Sequence, residues 1–345
     1  MTTPTTTTNP LLKLLDHGQS VWYDYIRRGL IDSGELARLI DEDGLRGITS
    51  NPSIWEKAIA GSTDYAGAIE ALRREGDTDP KVVYEQLAIQ DIRGAADAFR
   101  PVYEQTGRRD GLVSIEVSPD LAHDTEGTIA EAERLWSAIG RDNAMVKVPA
   151  TQEGIPAIRE LIGRGVNVNI TLLFAIPVYE QVTDAYMTGL ETLAASGGDM
   201  ARIASVASFF VSRIDTIADA KLDEVGGQNA RKLQGKVAIA NAKLAYQRFK
   251  ASVATDRWTA LAAQGAGVQR LLWASTSTKN PRYRELMYVE ELIGRDTVDT
   301  VPPATFEAFL LAIGEAAHRW ELRRVARRAL RQVDTPGGQE GPRTL

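Results

Sequence analysis

Apolar residues along this chain follow two alternating rhythms. Short runs, either continuous or alternating with polar residues, read as strands. They are "SVWYDY" (20–25), "LRGITS" (45–50), "GLVSIEV" (111–117), "AMVKVP" (144–149), "VNVNITLL" (166–173), "ARIASVASFF" (201–210), "VQRLLWAS" (268–275) and a weaker "DTVDTVP" (296–302). Between them run longer segments with helical spacing. "SGELARLIDEDG" predicts a helix with Ser33 as its cap and Leu36, Leu39 and Ile40 on one face. "DPKVVYEQLAIQDIRGAADAFRPVYEQ" offers Asp79 as cap and Pro80 in the first turn, and predicts two helices meeting near Gln90 or Asp91. "DTEGTIAEAERLWSAIG" runs from the cap Asp124 to a terminal glycine, with a Leu135/Trp136/Ile139 stripe. "TQEGIPAIRELIGRG", "IPVYEQVTDAYMTGLETLAA" and the long, basic-ended "TFEAFLLAIGEAAHRWELRRVARRAL" supply further helices.

Strands mostly followed by helices predict an α/β protein: a single (β/α)8 TIM barrel of parallel strands with extra N- and C-terminal helices. An open doubly wound sheet is the competing architecture. No low-complexity linker interrupts the chain, so the barrel is expected over residues 11–332, between a disordered leader (1–10) and a flexible tail (333–345).

Composition narrows the function. Lys and Arg total 40 against 46 Asp and Glu, a formal charge of −6, so nothing pulls the chain as a whole toward nucleic acid. A local basic pocket for a small anionic metabolite is still compatible with that balance. There are no cysteines, which removes disulfides, thiolate catalysis and iron–sulfur clusters. His17, His123 and His318 are far apart and form no metal-ligand spacing, and neither GxGxxG nor GxxxxGK[ST] occurs where a nucleotide loop would need it. The start, "MTTPTTTTNP", has neither the basic region nor the apolar core of a signal peptide, and no segment approaches a membrane span. A cytoplasmic protein, with no membrane or nucleic-acid partner, is the expectation.

Several strands carry a polar residue at or near the C-terminal end: Asp24, Glu116, Lys147, Thr171 and Ser208, with Asn51 directly after the second strand. A barrel would gather these ends at one mouth, where active sites form. Taken singly, each has a structural explanation. Asp24 can cap a turn and Glu116 can pair with an arginine. Asn51 before Pro52 suits a turn, Thr171 suits a strand, and Ser208 can satisfy a backbone group. Lys147 stands apart. Strand alternation puts Met145, Lys147 and Pro149 on one face and Val146 and Val148 on the other. At a rim, the lysine would snorkel. In a strand covered on both faces, burial favours the neutral amine, which can attack a ketone and form a Schiff base. Local sequence leaves both readings open.

Longer blocks carry a resemblance. "ITSNPS", "SIEVSPDLAHDTE", "MVKVPATQEGIPAIRELIGRGVNVNITLLF", "SVASFFVSRID" and "WASTSTKNP" resemble the transaldolases of the pentose phosphate pathway over nearly the whole chain. The form is similar to a bacterial branch that also occurs fused to a glucose-6-phosphate isomerase. The resemblance implies a transferase that moves a dihydroxyacetone unit between sugar phosphates, with no cofactor. Lys147 would be the Schiff-base lysine, and its apolar neighbours would hold the amine in place. Glu116 would work through a water that Thr171 helps to hold, and Asp24 would act on the C4 hydroxyl. Asn51 and Asn169 would bind the dihydroxyacetone part, and Arg213, with Ser208 nearby, the phosphate. Lys279 stands where many relatives have a second phosphate-binding arginine, and Gln152 where others have tryptophan; both departures alter the pocket.

The nearest alternative is a fructose-6-phosphate aldolase, whose members are shorter and carry glutamine and tyrosine at the places of Glu116 and Phe210. A catalytically silent barrel used for binding is the other, opposed by the intact polar set. Small sugar phosphates are the expected partners, and either a monomer or a homodimer fits.

Overall fold

The structure, a computed structural model, describes residues 9–76 and 79–316. Residues 1–8 of the expected leader, the expected tail, His318 and the basic stretch "WELRRVARR" lie outside the described residues. Asn9 and Pro10, assigned above to the leader, instead begin a helix, Pro10–Asp16. The Asn9 side chain accepts the Leu11 N–H at 3.0 Å and donates to Asp43 at 2.7 Å, so the helix start is tied to the domain.

Eight parallel strands follow in order: β1 (Gln19–Tyr23), β2 (Gly47–Thr49), β3 (Leu112–Glu116), β4 (Ala144–Pro149), β5 (Val168–Leu173), β6 (Ser205–Phe210), β7 (Arg270–Ala274) and β8 (Thr297–Val301). Each pairs with its sequence neighbours, and β8 pairs with β1 from Gln19↔Thr297 to Tyr23↔Val301, so the sheet is a closed barrel. The weakest predicted strand is therefore the one that closes it, and the open sheet is excluded. The strand expected from residue 201 starts only at Ser205, because Met200–Arg202 form a 3-10 turn capped by Asp199.

Side-chain alternation sorts the core into two parts. Trp22, Leu112, Met145, Val206, Leu272 and Val298 cluster inside the barrel. Val146, Val148 and Ile170 join the larger core between strands and helices. Trp22 is too large for its layer unless a neighbour gives way. Gly47 on β2 does so: a Cβ there would lie 2.7 Å from the indole ring and 2.7 Å from the Leu112 carbonyl. At the N-terminal end of the barrel, buried Arg270 donates to Ser20 (2.8 Å), Asp110 (2.8 Å) and the Arg109 carbonyl (2.6 Å), forming a polar floor.

Two helix predictions need correction. The segment after Asp79 is one continuous helix, Pro80–Gln105. Asp91 does not break it, because its buried carboxylate receives Arg28 at 2.7 Å and the Tyr65 hydroxyl at 2.8 Å. Ser33 closes a short helix, Arg28–Asp32, and Gly34 caps the next one, Glu35–Asp41, at φ 79°. That reversal needs the left-handed conformation, which glycine adopts without steric cost. Among the described residues, no helix is long and apolar enough to cross a membrane.

Candidate active site

Parallel strands in a closed barrel bring their C-terminal ends to one mouth. There a cavity of about 630 Å³ is lined by Asp24, Asn51, Glu116, Lys147, Thr171, Ser208, Phe210, Arg213 and Lys279, among others. Gln152, expected to alter the pocket, is not part of the lining, and of the expected site residues neither is Asn169. It is fully buried on β5, donates to Ser114 Oγ at 3.0 Å and accepts from Ser208 Oγ at 2.7 Å. It thus braces residues of β3 and β6 across the barrel interior.

Lys147 sits at the middle of this arrangement. It shares the interior face of β4 with Met145, and its side chain is only 8% exposed. Its Nζ donates to the Ser50 carbonyl at 3.0 Å and to Glu116 Oε2 at 3.1 Å. The lysine therefore does not snorkel to a rim. Glu116 is its register partner on the adjacent strand, so the β3–β4 pairing itself sets the ion pair. A buried ammonium is tolerable only with such partners. Without its proton, the Nζ would present a lone pair to the cavity, which is what a nucleophilic amine requires.

Asp24 follows the last residue of β1, and its N–H continues the ladder to the Val301 carbonyl at 2.9 Å. Its Oδ1 accepts the Thr49 hydroxyl at 2.7 Å, and Thr49 in turn meets Thr300 at 2.7 Å. The carboxyl is deeply surrounded, although part of its surface opens to the cavity. Burial pushes its pKa up; the positive charge of Lys147 and the Thr49 hydrogen bond oppose this, while Glu116 adds to it. A carboxyl raised in this way holds and releases a proton closer to neutral pH than an ordinary aspartate does.

Thr171 owes its position to an irregularity. On β5 the register shifts between Ile170 and Leu173, so Thr171 and Leu172 together oppose a single residue of β6. Leu172 takes φ 59°, rare for a side chain of its size. The bulge leaves Thr171 in the cavity wall and Leu172 exposed on the lip, and returns Leu173 to the outer core.

The other side of the mouth is cationic. Arg213 lies in the first turn of the helix Val211–Val225, its guanidinium 4.6 Å from the centre of the Phe210 ring. Lys279 lies after β7 and donates to Ser277 Oγ at 2.7 Å. Two positive charges with serine hydroxyls and a helix N-terminus suit a phosphate. Asn51 caps the helix Pro52–Ala60 by accepting the Ile54 N–H at 3.1 Å. The structural role considered for it is therefore real, and it coexists with a place in the cavity wall.

Sequence reasoning missed Thr49, Ser50, Lys57, Ser275, Ser277 and Thr300. All but Ser50 line the cavity, and Ser50 holds Lys147 through its carbonyl. One signal was available: Ser53 and Lys57 are spaced i, i+4 on the helix that follows Asn51, which puts both on one face. Thr300 carried no such signal. Among the described residues, no group of three or more His, Asp or Glu is arranged to hold a metal ion.

Comparison with known proteins adds an independent line. A family model described as transaldolase/fructose-6-phosphate aldolase matches residues 21–333. A transaldolase 2 of Nostoc punctiforme is 53% identical over 310 residues, covering 87% of this chain and 81% of that protein. A transaldolase of Trichodesmium erythraeum is 52% identical over 309 residues, with the same coverage. A transaldolase 1 of Streptomyces avermitilis is 48% identical over 308 residues, covering 89% of this chain and 81% of that protein.

Proposed function

The chain belongs to the transaldolase/fructose-6-phosphate aldolase family, and from that premise we propose that it is a transaldolase of the pentose phosphate pathway whose covalent carrier is Lys147. It is a transferase that moves a dihydroxyacetone unit from sedoheptulose 7-phosphate or fructose 6-phosphate to glyceraldehyde 3-phosphate or erythrose 4-phosphate. Such substrates are metabolites of the cell interior, and a cytoplasmic enzyme fits them.

In this proposal Lys147 Nζ attacks the C2 ketone, and water leaves the carbinolamine to give an iminium ion. Glu116, 3.1 Å from Nζ, is placed to accept and return the protons of that step through a water beside Thr171. The iminium draws electrons from the C3–C4 bond. Asp24 takes the C4 hydroxyl proton, the bond breaks, and the aldose phosphate leaves. The remaining enamine stays on Lys147 and adds to the second aldehyde, with Asp24 returning the proton to the new hydroxyl. Hydrolysis of the iminium then frees the product and the amine. Arg213 and Lys279, with Ser208 nearby, hold the phosphate of donor and acceptor alike, and Asn51 holds the three-carbon part.

The observation that carries the proposal is a buried lysine amine in the cavity, paired with a carboxylate at 3.1 Å. The identity of about one half to proteins named transaldolase, together with Glu116 and Phe210, favours transfer over the aldolase alternative. The test is borohydride reduction with fructose 6-phosphate followed by peptide mass spectrometry. A three-carbon adduct on Lys147, lost when erythrose 4-phosphate is added before reduction, is expected. No adduct on any lysine, where a known aldolase is trapped in parallel, overturns the mechanism. Sustained release of dihydroxyacetone from fructose 6-phosphate alone would identify the aldolase instead.

A further inference from the structure

The helix Val211–Val225 carries Arg213 toward the mouth, but a different stripe of the same helix is also polar and almost wholly buried. Ser212, Asp215 and Asp219 recur at the i, i+3, i+7 spacing of one helical face, with exposures of 1%, 1% and 8%. All three meet the segment that follows β7. The Ser212 N–H donates to the Ser275 carbonyl at 3.0 Å, and the two serine hydroxyls meet at 2.8 Å. The Tyr283 hydroxyl donates to Asp219, and the Tyr288 hydroxyl to Asp215 at 2.8 Å. The segment fastened in this way contains Ser277 and Lys279, which line the cavity.

The carboxylates are satisfied a second time from another direction. Asp219 accepts the Gly235 N–H at 3.0 Å, and Asp215 accepts the Ala238 N–H at 2.8 Å, at the start of the helix Val237–Ser252. Gly235 has φ +68°, and a Cβ there would lie 2.8 Å from the Tyr283 ring. The tyrosine is thus pressed between that turn and Asp219. Every donor named here is neutral, so two acidic groups beside a cationic pocket are satisfied without drawing on Arg213 or Lys279. A hydrogen bond from a neutral hydroxyl to a buried carboxylate is directional and costly to leave unmade, which makes it a good fastening.

We infer that Ser212, Asp215 and Asp219 form a rail that sets the position of the segment from Ser275 to Tyr288, and hence the spacing between Lys279 and Arg213 across the phosphate. Tyr283 and Asp219 are positioning residues for phosphate recognition; they do not line the cavity. This rests on the proposed function, because it takes the cationic side of the mouth as the phosphate site. Loosening the rail should weaken binding of phosphorylated sugars and leave the chemistry at Lys147 intact, since Lys147, Glu116 and Asp24 are held by other elements.

The test compares Tyr283→Phe with the unaltered protein in the donor half-reaction, read as initial rates of borohydride-trapped adduct on Lys147. The donors are fructose 6-phosphate and unphosphorylated fructose, and inorganic phosphate serves as a competing probe. The variant is expected to raise KM for fructose 6-phosphate, and the inhibition constant for phosphate, about tenfold, as for one hydrogen bond to a charged group. The trapping rate at saturation, and the rate with fructose, should stay within about twofold of the unaltered protein. Asp219→Asn, which keeps the shape and removes the charge, should shift the same two constants in the same direction. Equal losses with both donors would mean a general structural role and overturn the inference. Unchanged constants for fructose 6-phosphate and phosphate in both variants would overturn it as well. If the unaltered protein traps no adduct with either donor, it is the proposed function that fails.

Discussion

Asp299 offers a prediction whose size follows from the structure. It lies on β8 with 0% exposure, and among the described residues neither carboxylate oxygen has a hydrogen-bond partner. The nearby Thr276 hydroxyl lowers its pKa somewhat, but that hydroxyl donates to the Thr300 carbonyl at 3.3 Å. Burial dominates and pushes the pKa from 3.8 up to about 7. A carboxyl raised on folding favours the folded state fully below its unfolded pKa, and that advantage is lost as pH rises through the folded value. The span from 3.8 to about 7 corresponds to a loss of about 4 kcal/mol once the group must ionise. Between pH 5 and pH 8 the loss is about 2–3 kcal/mol. Asp299→Asn has the same shape and the same lack of partners, so its own cost does not vary with pH. Relative to the unaltered protein, the variant should therefore gain about 2–3 kcal/mol between pH 5 and pH 8. For a chain of this length that is a relative rise in Tm of about 3–4 °C, measured by calorimetry at the two pH values. A stability difference between the two proteins that is the same at pH 5 and pH 8 would refute the claim that Asp299 is buried, unpartnered and neutral below pH 7.

Two further outcomes are expected. Glu116→Gln keeps a side chain of the same size beside Lys147 but cannot accept or return a proton. It should lower the rate of adduct formation about a hundredfold, with KM for fructose 6-phosphate little changed; an unchanged rate in single-turnover trapping would remove Glu116 from the mechanism. Asp110→Ala leaves Arg270 buried without its carboxylate partner and should cost about 3–5 kcal/mol of stability. The Arg270–Asp110 pair lies at the opposite end of the barrel from Lys147, so kcat/KM at 25 °C should hold. A loss below 1 kcal/mol in urea unfolding would show that the floor contributes little.

Much of the fold and site could be read from the sequence, because it depends on local periodicity. Eight short apolar or alternating segments, with helical spacing between them, already fitted a barrel, with an open sheet as the competitor, and the alternation in "AMVKVP" put Lys147 opposite Val146 and Val148. Caps made by local hydrogen bonds, such as Asp79 and Asp124, were equally legible. The tertiary structure decided what depends on partners far along the chain. Asp91 stays inside an unbroken helix because Arg28 and Tyr65, distant in sequence, satisfy it. Thr300 enters the site because β8 closes against β1 and brings its hydroxyl to Thr49. The bulge at Leu172 could not be anticipated, since its sequence continues an ordinary alternation and a left-handed leucine is disfavoured locally. The chain's order of residues fixed which chemistry was available; the closure of the sheet determined which groups share the cavity with Lys147.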